Sequence, residues 1–373
     1  MSGLARRQSA SMTRPDTVPE ADYEKSADFG DIWRGALARS SLVRPLARIF
    51  AGVGTCLMYH RIGKDKEFTP NTESGFLPNQ ELVVTVSAFN EQMAFLARNY
   101  NCLSLPRAVE HLKSGCLPPR SVIVTFDDGY LDNLTLALPI LKAHGVPATI
   151  YIATGLVEQT SRMWWYELEQ VIGKQSELSF SWQKKKFAFS MVDAQEKSRA
   201  YHFLNPLLKK MKPSEQEDFM GALQNGLRAP FNYSSLVLRR QQLAKLAADP
   251  LITIGAHTHH HPVLSRLPGV ALRHEIGRSR ELLEAWLKHP IEHLAYPFGG
   301  NAQACKREFS AARELGFKSA VTTRLGHFHK FHGKHLLALP RVAIGNRDCM
   351  ARFEWKLSGL YSLFRRPASR ILV

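Results

Sequence analysis

From residue 54 onward the chain alternates short apolar runs, rich in β-branched residues, with longer stretches of helical period. That alternation restricts it to a parallel sheet or barrel joined by helical crossovers. The runs fall at Thr55–Tyr59, Ser121–Phe126, Ala148–Ala153, Leu251–Ala256, His293–Phe298 and Ser319–Thr323, with a last one near Leu336–Ile344. Between them the pattern predicts helices over Ser87–Asn99, Leu131–His144 and Gly269–Lys288. About seven strands suit a barrel better than a short open sheet. The expected fold class is therefore α/β, an irregular (β/α) barrel. Residues 157–250 break the rhythm with MWWYELEQVIG, a Lys-rich turn at Lys184–Lys186 and several helix-like stretches. They predict a mostly helical insertion over one end of the barrel. Four parts result: a tail over 1–31 rich in Ser, Pro, Arg and acids and expected to be disordered, a basic amphipathic segment over 32–50, the main domain over 51–348, and a second basic amphipathic segment over 349–373.

Composition narrows the partners. The 373 residues are 45% hydrophobic and 22% charged, enough apolar material for a large core. A formal net charge of +16 favours anionic partners, such as an acidic glycan or an anionic membrane surface. Zinc-finger spacing, an aromatic RNA-binding motif and a basic zipper pattern are all missing, which argues against nucleic acid. Cys56, Cys102, Cys116, Cys305 and Cys349 are dispersed, odd in number and without CxxC spacing. They form neither a disulfide framework nor a cysteine zinc site. The first 22 residues hold no apolar core of a secretory signal, so a cytoplasmic location is expected. The greasiest early stretch, 42–59, is interrupted by Arg44, Pro45 and Arg48, which argues against a spanning helix.

Two motifs carry chemistry. The apolar run Val122-Ile123-Val124 ends in Thr125-Phe126-Asp127-Asp128-Gly129-Tyr130. Barrel residues at the C-terminal ends of strands form the active-site face. Adjacent carboxylates there repel each other unless a cation or proton is shared; the plainer reading is an N-cap aspartate with an exposed neighbour. After the run Leu251–Ala256 comes His257-Thr258-His259-His260-His261-Pro262, four histidines in five residues. Neutral imidazoles are zinc-type ligands, and two of them with one carboxylate match a hydrolytic metal site.

In these motifs, and in their order, the chain resembles the polysaccharide deacetylase family, which includes the chitooligosaccharide deacetylases of nodulation. Supporting blocks are Leu57-Met58-Tyr59-His60-Arg61 and Ala295-Tyr296-Pro297-Phe298-Gly299, and the likeness covers about residues 54–345. It implies a general base at Asp127 and a divalent metal ion, zinc foremost, held by Asp128, His257 and His261. It also implies substrate contacts near Tyr130, Tyr296, Pro297 and Phe298, with a backbone N–H near Tyr130 facing the oxyanion. His259 and His260 fall outside the ligand set. The substrate implied is an acetylated bacterial-type glycan, N-acetyl ahead of O-acetyl. Separately, the basic apolar ends, with Arg34, Arg39, Arg44 and Arg48 at the start and Arg352, Lys356, Arg365, Arg366 and Arg370 at the end, suit an interfacial segment and suggest a lipid-carried glycan at the inner membrane face. Two departures stand out. The third block lacks the arginine that many members use to hold the catalytic aspartate, and Arg341 is the candidate replacement. The usual C-terminal histidine acid has no clear counterpart; His335 or His327 could serve. Trp164-Trp165 reads as core anchors ahead of a sugar-stacking face. Two rival readings stay open: a hydrolase of a small non-glycan amide, and a catalytically silent glycan-binding relative.

Overall fold

A computed structural model describes residues 51–65, 75–224 and 232–365 of the protein. The expected tail 1–31, the segment 32–50 and the residues after 365 lie outside the described residues. Seven parallel strands close into a barrel: β1 (Gly54–Tyr59), β2 (Ser121–Phe126), β3 (Ala148–Ile152), β4 (Ile252–Ala256), β5 (His293–Ala295), β6 (Ser319–Leu325) and β7 (Leu339–Ala343). The order around the ring follows the chain, and β1 closes it by pairing with both β2 and β7. The β1–β2 seam runs six residue pairs, from Gly54↔Ser121 to Tyr59↔Phe126. A two-residue strand, Asn101–Cys102, adds outside the ring to β2. The seven strands match the sequence pattern closely. β3 and β4 are each one residue shorter than expected and β7 begins later, at Leu339; β5 ends three residues early, because Pro297 cannot donate to a ladder.

Side-chain alternation sorts the barrel into two layers. Leu57, Tyr59, Val122, Val124, Phe126, Ile150 and Ile152 are buried against the surrounding helices. Cys56, Ile123, Tyr151, Ala295, Val321 and Leu339 fill the barrel interior. Gly255 on β4 is required by this filling, since a Cβ there would lie 2.5 Å from the Tyr151 ring. Continuing the inward phase past Ile123 and Thr125 reaches Asp127, and past Leu339 it reaches Arg341. The register of the strands thus aims one carboxylate and one guanidinium into the same barrel mouth.

The stretch between β3 and β4 forms the insertion, with its own apolar cluster built on Trp164, Trp165, Leu168, Leu204 and Phe219. Its helices are α1 (Trp164–Gly173), α2 (Ala194–Lys210) and α3 (Pro213–Leu223). It also contains an antiparallel hairpin, Glu177–Trp182 against Lys185–Ser190, with the Lys-rich segment at its turn. Helix Arg240–Ala247 is already the crossover into β4, so the interruption proper ends before residue 240. Past the barrel, α4 (Met350–Leu357) and Leu360–Arg365 carry the described part of the C-terminal segment. Phe353, Trp355, Leu357 and Leu360 are buried, and Lys356 is bonded to Asp348 at 2.7 Å. These four apolar side chains are therefore covered by the protein itself. No described helix is long and apolar enough to cross a membrane.

Candidate active site

Asp127 and Arg341 meet where the register aims them. Arg341 Nη1 and Nη2 donate to Asp127 Oδ1 and Oδ2, each at 2.7 Å, a bidentate pair in which both side chains are buried. Nη1 also donates to Thr125 Oγ1, and Nε to the Thr322 carbonyl at 3.0 Å, so β2 and β6 together fix the guanidinium carried by β7. Burial pushes the Asp127 carboxyl up, but the Arg341 charge, helped by His257 and His60, outweighs burial and holds it below the ordinary aspartate value. Such pairing is what makes a buried carboxylate tolerable.

Asp128 turns away from Asp127 because its backbone is left-handed, with φ 74°. Thr258, His261 and Phe298 are left-handed too, at 64°, 57° and 55°, each just past a strand end. Non-glycine residues adopt this conformation at roughly 1–3 kcal/mol each, and such strain gathers at functional sites. In the loop after β4, Thr258 Oγ1 accepts from the His261 N–H, while the Glu275 carboxylate accepts from the His259 and His260 N–H groups. The resulting tight turn brings the His257 and His261 rings to a centroid distance of 4.8 Å. His259 instead contacts Thr154 Oγ1 through Nδ1 at 2.9 Å, and His260 pairs with Glu275 at 2.7 Å.

Donor chemistry shows what the Asp128–His257–His261 cluster can hold. His257 Nδ1 lies 2.8 Å from the Ala295 carbonyl, which only accepts, so Nδ1 carries the hydrogen. In the neutral ring Nε2 then presents a lone pair, and it faces Asp128 Oδ1 at 3.4 Å. His261 Nε2 faces the same oxygen at 3.2 Å. Asp128 Oδ1 is buried without a hydrogen-bond partner among the described residues. One carboxylate oxygen and two imidazole nitrogens, all within 4.8 Å of one another, converge lone pairs on one point. A divalent cation fits that arrangement, and the His2Asp donor set is of the catalytic-zinc type. Without a cation, burial and the two histidines act on Asp128 in opposite senses, and the histidines hold it well below the ordinary value.

The cluster opens on a cleft of about 680 Å³, within the range of ligand sites. One wall comes from the barrel, with Met58, His60, Phe298 and Thr323; the other comes from the insertion, with Trp164, Trp165, Tyr201, His202, Asn205 and Lys209. Trp164 and Trp165 are core residues of the insertion and also line the cleft, where the Trp165 ring stands 5.1 Å from that of His261.

Of the expected substrate contacts, Phe298 lines the cleft, while Tyr130, Tyr296 and Pro297 do not. Tyr130 is buried in the insertion core, and the Tyr296 hydroxyl donates to the Leu337 carbonyl inside the fold. Pro297 is buried at the end of β5. The Tyr130 backbone forms an isolated bridge. In its bridge to Val237 the bonds run Leu131 N to Leu236 O and Leu238 N to Gly129 O, leaving the Tyr130 N–H pointing the other way. His335 and His327 are corrected as well. Their loop bonds to Gly54 at the start of β1, so both sit at the opposite end of the barrel. His335 is exposed there, and His327 is buried against Thr55 at 2.8 Å. The residue missed is His60, which lines the cleft and acts electrostatically on both aspartates. Its signal was its position, immediately after a strand, as with Asp127 and His257.

Comparison with known proteins gives the same picture. The family model for polysaccharide deacetylase matches residues 114–320, more than half of the chain, with both motifs inside. A Staphylococcus aureus poly-beta-1,6-N-acetyl-D-glucosamine N-deacetylase is 35% identical over 105 residues, 27% of this chain and 36% of the relative. The Escherichia coli K12 protein of the same name is 38% identical over 80 residues, 21% of this chain and 12% of its own length. The chain thus spans only about a third of the length of the curated relatives it matches. Among solved structures, a Streptococcus pyogenes deacetylase crystallised with acetate covers 81% of this chain and 97% of its own, at 21% identity and a TM-score of 0.53. IcaB from Ammonifex degensii covers 83% and 97%, at 17% identity and a TM-score of 0.50. These structures share the fold. With the family model spanning both motifs, the chain belongs to the polysaccharide deacetylase family.

Proposed function

We propose that the chain hydrolyses N-acetyl groups on a glycan, using a divalent cation, zinc foremost, held by Asp128, His257 and His261. The observation that carries this reading is the buried Asp127–Arg341 pair beside a converging His2Asp donor set at one barrel mouth. When bound, the cation would lower the pKa of a water and polarise the acetyl carbonyl. Asp127, kept ionised by Arg341, accepts the proton of the attacking water. The Tyr130 N–H donates to the developing oxyanion. The amide C–N bond then breaks, acetate leaves with the water oxygen, and the sugar nitrogen needs a proton. His60 is the candidate for that role, since it follows β1 and lines the cleft beside Asp127 and Asp128 without belonging to the donor set.

A cleft of about 680 Å³ lined by Trp164, Trp165, Tyr201 and Phe298 favours a glycan over a small cyclic amide. Intact donor and base residues favour an enzyme over a silent binding protein. Acetate release should be measured from N-acetylglucosamine oligomers, O-acetylated sugars and small amides, with metal content determined alongside. Release from the oligomers only by metal-loaded protein is expected. Turnover of small amides alone, or firm glycan binding without any release, would sink the reading.

We further place the enzyme in the cytoplasm at the membrane's inner face, on a lipid-carried glycan. The support is now the segment 32–50, with Arg34, Arg39, Arg44 and Arg48 and no acid among them after Asp31. Flotation with anionic vesicles tests it, and binding should vanish at high salt or on deletion of 32–50.

A further inference from the structure

The cleft contains one cation that neither the fold nor the proposed chemistry uses. Lys209, in the last turn of α2, lines the cleft half-buried, its ammonium 5.5 Å from the centroid of the Phe298 ring. The Phe298 ring is also a neighbour of His261, with ring centroids 4.9 Å apart. This ammonium and the proposed metal cluster thus share one aromatic neighbour. The cleft's other carboxylates point elsewhere: Asp127 pairs with Arg341, Glu81 with Arg347 at 3.0 Å, and Asp128 belongs to the proposed metal cluster. No carboxylate lies within ion-pair distance of Lys209 among the described residues. Burial alone acts on its ammonium, pushing it below the ordinary lysine value. A partly desolvated cation without a counter-charge is unfavourable unless something else brings one.

Resting on the deacetylase reading, we propose that Lys209 binds an anionic group on the sugar unit next to the acetylated one, so that the substrate is a negatively charged glycan. A carboxylate of a uronic acid and a sugar-linked phosphate share the required chemistry, an anionic oxygen accepting from an ammonium. The competing role is structural: a helix C-terminal cation resting on an aromatic face contributes to stability and is indifferent to substrate charge.

The two roles separate in binding. Matched N-acetylated oligosaccharides, neutral, uronate-bearing and phosphate-bearing, should be titrated calorimetrically into metal-loaded protein carrying Asp127→Asn, with acetate release followed in parallel on the parent protein. Charged oligomers should bind about tenfold or more tighter than the neutral one, the worth of one hydrogen bond to a charged group. Lys209→Gln should abolish that preference, Lys209→Arg retain most of it, and Lys209→Glu invert it, with the change in turnover read mainly in KM. A preference confined to the uronate arm or to the phosphate arm identifies the anion. Equal affinity for neutral and charged oligomers, or a preference untouched by Lys209→Gln, overturns the inference. Because binding is read apart from turnover, missing acetate release counts against the deacetylase reading and leaves the charge preference to be judged separately.

Discussion

Two stretches of this chain each hold four histidines, 257–261 and 327–335, and they lie at opposite ends of the barrel. At the first, His257 and His261 face a carboxylate, and a guanidinium steadies a second carboxylate beside it. At the second, burial dominates and no carboxylate takes part. His327 is pushed down to about 3 and His332 to about 4, by burial and then by the charge of His329. His327 bonds Thr55, and His332 Nδ1 accepts from the His329 N–H. Histidine density alone therefore says little. The chemistry comes from where a strand ends and from what carboxylate the ring meets there.

The sharpest way to break this comparison is a pair of alanine variants. His261→Ala should lose both bound metal and acetate release, since only two protein ligands remain where three plus water are the catalytic minimum. His332→Ala should keep its metal at wild-type stoichiometry. Equal metal loss in the two would mean that the two ends do not differ as described. Asp127→Asn comes next in size, with turnover lower by roughly two to four orders of magnitude and metal content unchanged. Normal turnover in that variant would remove Asp127 from the base role.

Arg341→Met is a subtler probe of the same end. The guanidinium lowers the Asp127 pKa against burial, so removing it raises that pKa. The acidic limb of the pH–rate curve should move to higher pH, and an unmoved limb would leave Arg341 as a structural residue only. The smallest effect belongs to the other end. His327 is neutral when folded and takes a proton on unfolding once the pH falls below about 6.5. Its contribution is complete above that value and declines as pH drops toward its folded value of about 3. His327→Gln should therefore lose about 1–2 kcal/mol less than the parent between pH 7 and pH 5 in chemical denaturation. An identical loss would show that His327 does not stay neutral in the fold.

Much of the barrel was legible because period-2 burial and helical crossovers leave strong patterns. Arg341 was legible only as a candidate replacement in the run Leu339-Pro340-Arg341, and strand parity would have strengthened the case, since Leu339 and Arg341 share the inward phase with Ile123 and Asp127. The hairpin over 177–190 was missed because its turn residues, Gln183 and Lys184, are left-handed without being Gly, Asn or Asp. His335 was a wrong candidate because a residue count cannot say at which end of a barrel a loop lies. An amphipathic pattern reads the same whether its apolar face meets protein or lipid, and packing shows Phe353, Trp355, Leu357 and Leu360 buried within the protein.

The cleft has three owners. Every proposed ligand and proton carrier sits at or soon after a barrel strand end, the wall from Trp164 to Lys209 is one uninterrupted stretch of chain between β3 and β4, and Pro78, Asn79, Glu81 and Leu82 add a third piece from between β1 and β2. On the proposed reading, reaction and most of recognition are written in separable text. Exchanging the stretch between β3 and β4 among relatives would then alter which sugars are accepted while leaving the catalytic alphabet intact, and replacing a strand-end residue would do the reverse.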